Sequence, residues 1–343
     1  MAKAKRVKGI NCNAPAGEGI KLVLQTRFEE MYGLPEAAMN WEDPEGVHSM
    51  RVASRRLRSA LRDFTPYLRK SGLRTSQKEV RNLAGALGEV RDQDVALMAL
   101  EQTAAKAPKE AATAVKYFIS LREEVRAEAR TKLQAALRND DLQGLRRDFL
   151  ASVEKATAPP KNPTNNVTYL KMARAVIVGR LRELEKLSDS LYRPFAVDPL
   201  HDMRIAAKRL RYAIELFQSC WGRSMKTYAK RVARLQTALG GLHDCDVWVE
   251  HIGEEMLKAN KLKQSEHVKG SEWLLHHFLR QRARYLRQAS GLWRKWEADE
   301  VSTKLRETVH AEVPVRKSAE ETSSEAESTA EAVKVQTAVQ SQT

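Results

Sequence analysis

The chain reads as an all-α protein built from one four-helix unit used twice. Three observations carry that reading. First, no stretch of its 343 residues sustains the apolar/polar alternation, bounded by turn dipeptides, of a half-buried strand. Second, apolar residues recur instead at three- and four-residue spacing. Third, two stretches say nearly the same thing: VHSMRVASRRLRSALRDF (Val47 to Phe64) and LHDMRIAAKRLRYAIELF (Leu200 to Phe217), at an offset of 153. Each is followed by a second matched stretch, LAGALGEVRDQDV (Leu83 to Val95) and LQTALGGLHDCDV (Leu235 to Val247), at an offset of 152. Two matched motifs in one order, at nearly one separation, mean a duplicated unit.

Residues 1–16 are expected to form a flexible start. The first unit, 17–141, opens with a helix from about Gly19 to Met31, which puts Ile20, Val23, Leu24 and Phe28 on one side. Pro35 breaks it. Asp43 or Pro44 starts the first motif helix, which is expected to reach about Leu68 despite Pro66. Beyond Gly72 comes a long helix over 74–106, and Pro108 begins a fourth that ends near Asn139. A connecting segment, 142–166, is helical at first and ends in the linker APPKNPTNN (Ala158 to Asn166). The second unit, 167–311, repeats the count with helices over 167–192, 198–221, 224–260 and 266–297. The last helices also align, at an offset of 154: Leu121 with Leu275, Arg126 with Arg280, Ala129 with Ala283 and Arg130 with Arg284. Residues 312–343 are rich in Ser, Thr, Glu, Ala and Gln and have too few large apolar side chains to pack, so an acidic, disordered tail is expected. Residues 17–311 are taken together as one domain.

At 42% hydrophobic residues the chain can bury a real core, which excludes a disordered basic protein. Lys and Arg number 59 against 44 Asp and Glu, a net charge of +15. The tail holds six Glu and three basic residues, so the remaining 311 residues carry +18. The three cysteines, Cys12, Cys220 and Cys245, form no CxxC pair and are odd in number. That points to a reducing compartment and away from a disulfide scaffold or a cysteine zinc site. The basic N-terminus has no apolar stretch after it, and no run approaches 18 apolar residues. A cytoplasmic protein without membrane insertion is expected. His251, His267, His276, His277 and His310 show no metal spacing.

On a helical wheel the first copy sends His48, Arg51, Arg55 and Arg58 into a stripe roughly 80° wide, with Met50, Ala53, Leu57, Leu61 and Phe64 opposite. The second copy sets His201, Arg204, Lys208 and Arg211 against Met203, Ala206, Leu210, Ile214 and Phe217. Neighbours in such a row lie about 5–6 Å apart, and like charges at that spacing are unfavourable, so an anion belongs opposite them. Two plainer readings compete. One is a solvated basic face, and the other is internal neutralisation by Asp92, Asp94, Asp244 and Asp246. Neither explains why His, Arg and Arg/Lys recur in register on two helices, since exposed charges drift at little cost. The rows are therefore read as anion-binding. A body this basic attracts nucleic acid, anionic lipid surfaces or inorganic polyphosphate.

The repeated HxMRxxx(R/K)RLR helix, each copy followed by an LGxx(R/H)DxDV helix, resembles the CHAD family, the conserved histidine α-helical domains, over roughly residues 17–300. The resemblance implies an all-α fold of two pseudo-symmetric four-helix bundles facing each other across a basic channel. It also implies inorganic polyphosphate as partner, association with polyphosphate granules, and a ligand row of His48, Arg51, Arg55, Arg58, His201, Arg204, Lys208 and Arg211. Two departures stand out. Arg62 is matched by Glu215 and Arg91 by His243, so the halves are not electrically equal.

Asp92 and Asp94, in register with Asp244 and Asp246, are read as carboxylates that orient the arginines rather than as holders of catalytic metal ions. Lys78 and Lys230, Arg91 and His243, Arg126 and Arg280, and Arg130 and Arg284 are candidate additional phosphate contacts. Leu87-Gly88 and Leu239-Gly240 are read as permitting close helix crossing. No GxxxxGK(S/T), GxSxG or HExxH occurs. ELEK (Glu183 to Lys186) lacks the spacing of the ExExK strand found in the triphosphate-cleaving CYTH domains often fused to CHAD modules. With no nucleophile or general base assigned, the expectation is a non-catalytic binding protein with neither cofactor nor metal. Nucleic acid is the alternative partner. Against it, aromatics are only 6% of the chain and none interleaves with the rows. A granule-surface scaffold that recruits partners through the acidic tail or the N-terminal segment is a third reading, compatible with polyphosphate binding. Oligomeric state and chain-length preference are not written in the sequence.

Overall fold

The computed structural model describes residues 4–69, 73–159, 167–262 and 265–311. Residues 160–166 of the expected linker and the expected tail, 312–343, lie outside them. Among the described residues the regular structure is helical: α1 (Ala16–Tyr32), α2 (Pro35–Met39), α3 (Pro44–Phe64), α4 (Arg74–Ala104), α5 (Lys109–Ala136), α6 (Asn139–Thr157), α7 (Tyr169–Glu185), α8 (Val197–Leu216), α9 (Gln218–Trp221), α10 (Ser224–Lys261), α11 (Ser265–Ala298) and α12 (Val301–His310). Helix α3 starts where its sequence says it should. The Asp43 carboxylate accepts from the Glu45 N–H at 3.0 Å, and Pro44 fills the first turn. It stops at Phe64, short of Leu68, because Pro66 cannot continue it; Thr65–Tyr67 form a 3-10 turn.

Helix α3 packs on α1, α2, α4 and α8, and α8 packs on α7 and α10. Met50, Leu57 and Phe64 of α3, and Met203, Leu210 and Phe217 in and after α8, have no solvent exposure. Phe64 meets Phe217 edge-on at 5.9 Å across the two halves. Each such side chain stabilises the fold by about 1.5–3 kcal/mol. One contiguous core therefore spans both repeats, and the chain up to Val309 forms a single unit. A second, smaller core joins Leu100, Val115 and Phe118 of the α4–α5 hairpin to Trp248, Ile252, Leu274 and Phe278 of the α10–α11 hairpin. Between the two cores the four long helices leave a space.

The sequence offset recurs in the ion pairs. Arg27 and Arg56 both bind Glu30, at 2.6 and 2.8 Å. At positions 153 higher, Arg180 and Arg209 flank Glu183, the latter at 3.7 Å. Asp63, fully buried, accepts from Arg180 at 2.7 Å and pairs with Arg62 at 3.2 Å.

Two expectations are corrected. The start of the chain, expected to be flexible, is tied down from Cys12 to Ala16. The Cys12 and Ala14 carbonyls accept from Leu170 and Tyr169 N–H at 2.8 and 3.0 Å, and Ala16 N–H donates to Val167 at 2.9 Å. Backbone groups that find such partners do not fray. Cys12 is also disulfide-bonded to Cys220, 208 residues on, and Cys245 stays free and buried. An odd cysteine count counts sulfurs but cannot say which two the fold brings together.

Candidate functional site

Helices α3, α4, α8 and α10, backed by α5 and α11, enclose a cavity of about 1180 Å³. Helix α4 opens it by presenting small residues: Ala84, Gly85, Gly88, Ala96 and Ala99 line the wall beside Arg81 and Asp92. A Cβ on Gly85 would meet nothing within 4 Å, and one on Gly88 only Arg51 Nε at 3.9 Å. Gly240 likewise faces open space. Neither glycine read as a close-crossing point therefore makes a tight contact: Gly88 lines the cavity, Gly240 does not, and in the second half the close approach falls one residue later. A Cβ on Gly241 would overlap the Tyr285 ring at 2.5 Å.

Nine lysines and arginines line the cavity: Arg51, Arg55, Arg58 and Arg62 from α3, Arg81 from α4, Arg122 from α5, and Arg204, Lys208 and Arg209 from α8. Only Glu89, Asp92 and Asp244 oppose them there. Arg51 is paired with Asp92 at 2.7 Å. Arg62 and Arg209 are tethered from behind by Asp63 and Glu183. The Arg122 guanidinium lies 5.0 Å over the Trp248 ring. Among the described residues Arg55, Arg58, Arg81 and Lys208 form no ion pair.

That excess charge shows in the titrating groups. Burial, then Arg55, Arg204, Arg51 and Arg62, push the Lys208 ammonium down to about 7. Burial, then Arg204, His201 and Lys208, bring His243 down to about 4. Burial also raises Asp244 against the opposing pull of Arg204.

Of the eight-residue row, the structure places Arg51, Arg55, Arg58, Arg204 and Lys208 on the cavity wall. The other three sit elsewhere. His201 stands behind His243, their Nδ1 atoms 3.1 Å apart, and it is His243 that lines the wall. His48 holds the matching place beside Arg91, and its Nδ1 is buried without a hydrogen bond. Arg211 is a correction. It is 6% exposed, lies over the Tyr212 ring and pairs with Glu215 at 3.2 Å. A carboxylate one turn along its own helix, where the first repeat has Arg62, draws it away from the cavity.

Asp92 and Asp244 lie at the cavity beside Arg51 and Arg204. Asp94 and Asp246 face outward to the hairpins: Asp94 is near Arg130, Arg91 and Arg126, and Asp246 accepts from Arg282. Arg130 lies 5.1 Å over Trp41. Lys78, Lys230, Arg280 and Arg284 are exposed, and with Arg91, Arg126 and Arg130 they stay off the cavity wall. Among the described residues no three His, Cys, Asp or Glu side chains converge to hold a metal ion, and no helix is long and apolar enough to cross a membrane.

Sequence reasoning missed Arg62, Arg81, Arg122, Arg209 and His251 as wall residues. A signal for Arg81 was present in the small residues that follow it along one face of α4. Requiring a partner in both repeats hid it, because its match is Ala233.

The pattern described as the CHAD domain matches residues 22–253. The crystal structure of the CHAD domain from the plant Ricinus communis is similar at 24% identity and a TM-score of 0.65, over 90% of this chain and 96% of that one. PptA from Streptomyces chartreusis is similar at 15% identity and a TM-score of 0.59, over 82% and 100%. At these identities the likeness is one of fold. No curated protein matches the chain.

Proposed function

The chain belongs to the CHAD domain family, and from that premise we propose that it binds inorganic polyphosphate without cleaving it and associates with polyphosphate granules. One observation carries the reading: nine cations surround one cavity, and among the described residues only three of them, Arg51, Arg62 and Arg209, form an ion pair. Like charges gathered in a partly desolvated space are costly until an anion arrives. A polymer with about one charge per phosphate neutralises several at once, and arginine forks match phosphate oxygens. Nucleic acid fits less well. The aromatic rings at the wall are engaged: Trp248 is stacked on Phe278 at 5.2 Å and faces Arg122, Tyr212 lies under Arg211, and Tyr285 lies against Gly241. That leaves little free ring surface on which a base could stack.

Titration at near-physiological salt tests this. Long-chain polyphosphate should bind much more tightly than orthophosphate or ATP, because multivalent contact rewards length. Incubation with polyphosphate and Mg²⁺ or Mn²⁺ should release no phosphate above background. Equal affinity for DNA at equal charge concentration would overturn the polyphosphate reading, and turnover lost in Asp92→Ala or Asp244→Ala would overturn the non-catalytic one.

A further inference from the structure

Lys208 stands where the first repeat has Arg55, and that exchange changes the chemistry available at the cavity wall. A guanidinium remains protonated in such surroundings, whereas an amine can give up its proton and become a nucleophile. Arg51, Arg55 and Arg62 face Lys208 from α3, Arg204 and His201 stand beside it on α8, and His243 faces it from α10. The cavity carboxylates Asp92 and Asp244 are engaged with Arg51 and Arg204. Among the described residues no carboxylate pairs with the Lys208 amine.

We propose that Lys208 is a site of acylation by small acyl phosphates, of which acetyl phosphate is the simplest, with the neighbouring guanidiniums holding the donor's phosphate. The inference rests on the anion-binding reading of the same cavity. In the step itself the Nζ lone pair attacks the carbonyl carbon. The N–C bond forms as the C–O bond to phosphorus breaks, inorganic phosphate leaves with the electron pair, and the nitrogen's proton passes to it or to water. Two features of the cavity favour the reaction here. Burial and four guanidiniums hold the amine near 7, so about half of it is free base at neutral pH, roughly a thousandfold more than for an ordinary lysine. The same guanidiniums concentrate an anionic donor beside it. Acylation turns a cation of the site into a neutral amide, so it also lowers affinity for a polyanion.

The experiment incubates the full chain with acetyl phosphate and follows acetylation of each lysine by peptide mass spectrometry. Lys208 should react at least tenfold faster than the exposed Lys78 and Lys230, with a half-maximal rate near pH 7. Arg55→Gln should slow the reaction with acetyl phosphate several-fold. It should slow labelling by a neutral reagent, p-nitrophenyl acetate, clearly less, because that reagent feels only the change in the amine's own protonation and not the loss of a phosphate-holding guanidinium. Labelling of Lys208 no faster than that of Lys78 overturns the proposal, as does an Arg55→Gln variant that reacts with acetyl phosphate at the wild-type rate. Long-chain polyphosphate added first should suppress the reaction at Lys208. Fast labelling that polyphosphate does not suppress would count against polyphosphate as occupant and leave acylation standing. Tight polyphosphate binding beside a slow Lys208 would do the reverse.

Discussion

Among the described residues Arg55 and Arg58 form no ion pair, so replacing them strands no described carboxylate. Arg55→Ala with Arg58→Ala should therefore leave stability within about 1 kcal/mol of the parent. Polyphosphate affinity should drop sharply, and the salt slope should fall by about 0.7–0.9 per lost phosphate contact, measured by titration across salt concentrations. Lys78→Ala with Lys230→Ala removes the same charge from exposed positions off the wall and should change both much less. Equal losses would mean that a diffuse field, not the cavity, does the binding. pH offers a second check. Lys208 near 7 and His243 near 4 both lie below their ordinary values, so the unfolded chain binds more protons than the fold does. Their contributions make stability rise with pH between about 4 and 6.5 for His243 and between about 7 and 10.5 for Lys208. Denaturant melts across pH on the parent and on Lys208→Met should differ in slope chiefly in the upper window, with a smaller change in the lower one because Lys208 also bears on His243. At this scale the sequence was half legible. The stripe on each wheel located five wall residues, whereas the diversion of Arg211 depends on Glu215, which register alone marks as a mismatch but cannot orient.

Helices were the most legible level, because periodicity and caps act locally. Asp43-Pro44 started α3, Pro108 preceded α5, and the helix expected over 224–260 spans Ser224–Lys261. What local signals could not supply is which glycines face a neighbour. A Cβ on Gly46 would stand 1.8 Å from the Ala37 carbonyl oxygen, a backbone atom that can move only with α2. One on Gly85 meets nothing within 4 Å. Gly46→Ala should cost about 1–3 kcal/mol. Gly85→Ala should be neutral or stabilising by up to about 1 kcal/mol, because alanine suits a helix interior better. Chemical denaturation of the two variants side by side distinguishes a contact glycine from an open one.

Across the whole molecule the offset of 153 predicts a doubled plan, whereas the continuous core and the fastening of the chain's start come from three-dimensional contact. The Cys12–Cys220 bond closes a loop of 208 residues, and loops that long restrict the unfolded chain most. Cys220→Ser, or reduction, should lower stability by about 2–5 kcal/mol and expose the Cys12 segment to protease, read by thermal melts and limited digestion.

The exchange of Arg62 for Glu215 has a consequence for how the protein meets its ligand. In the second repeat Arg211 already has its answer in Glu215, a built-in counterweight that removes one cation from that end. In the first repeat the corresponding Arg58 has only Arg81, Arg55 and Arg62 around it. A polyanion has no head or tail, but this cavity does. On the polyphosphate reading, the polymer should be caught first at the Arg58–Arg62 end and only then settle toward Arg204, which would make the cavity a directional landing site.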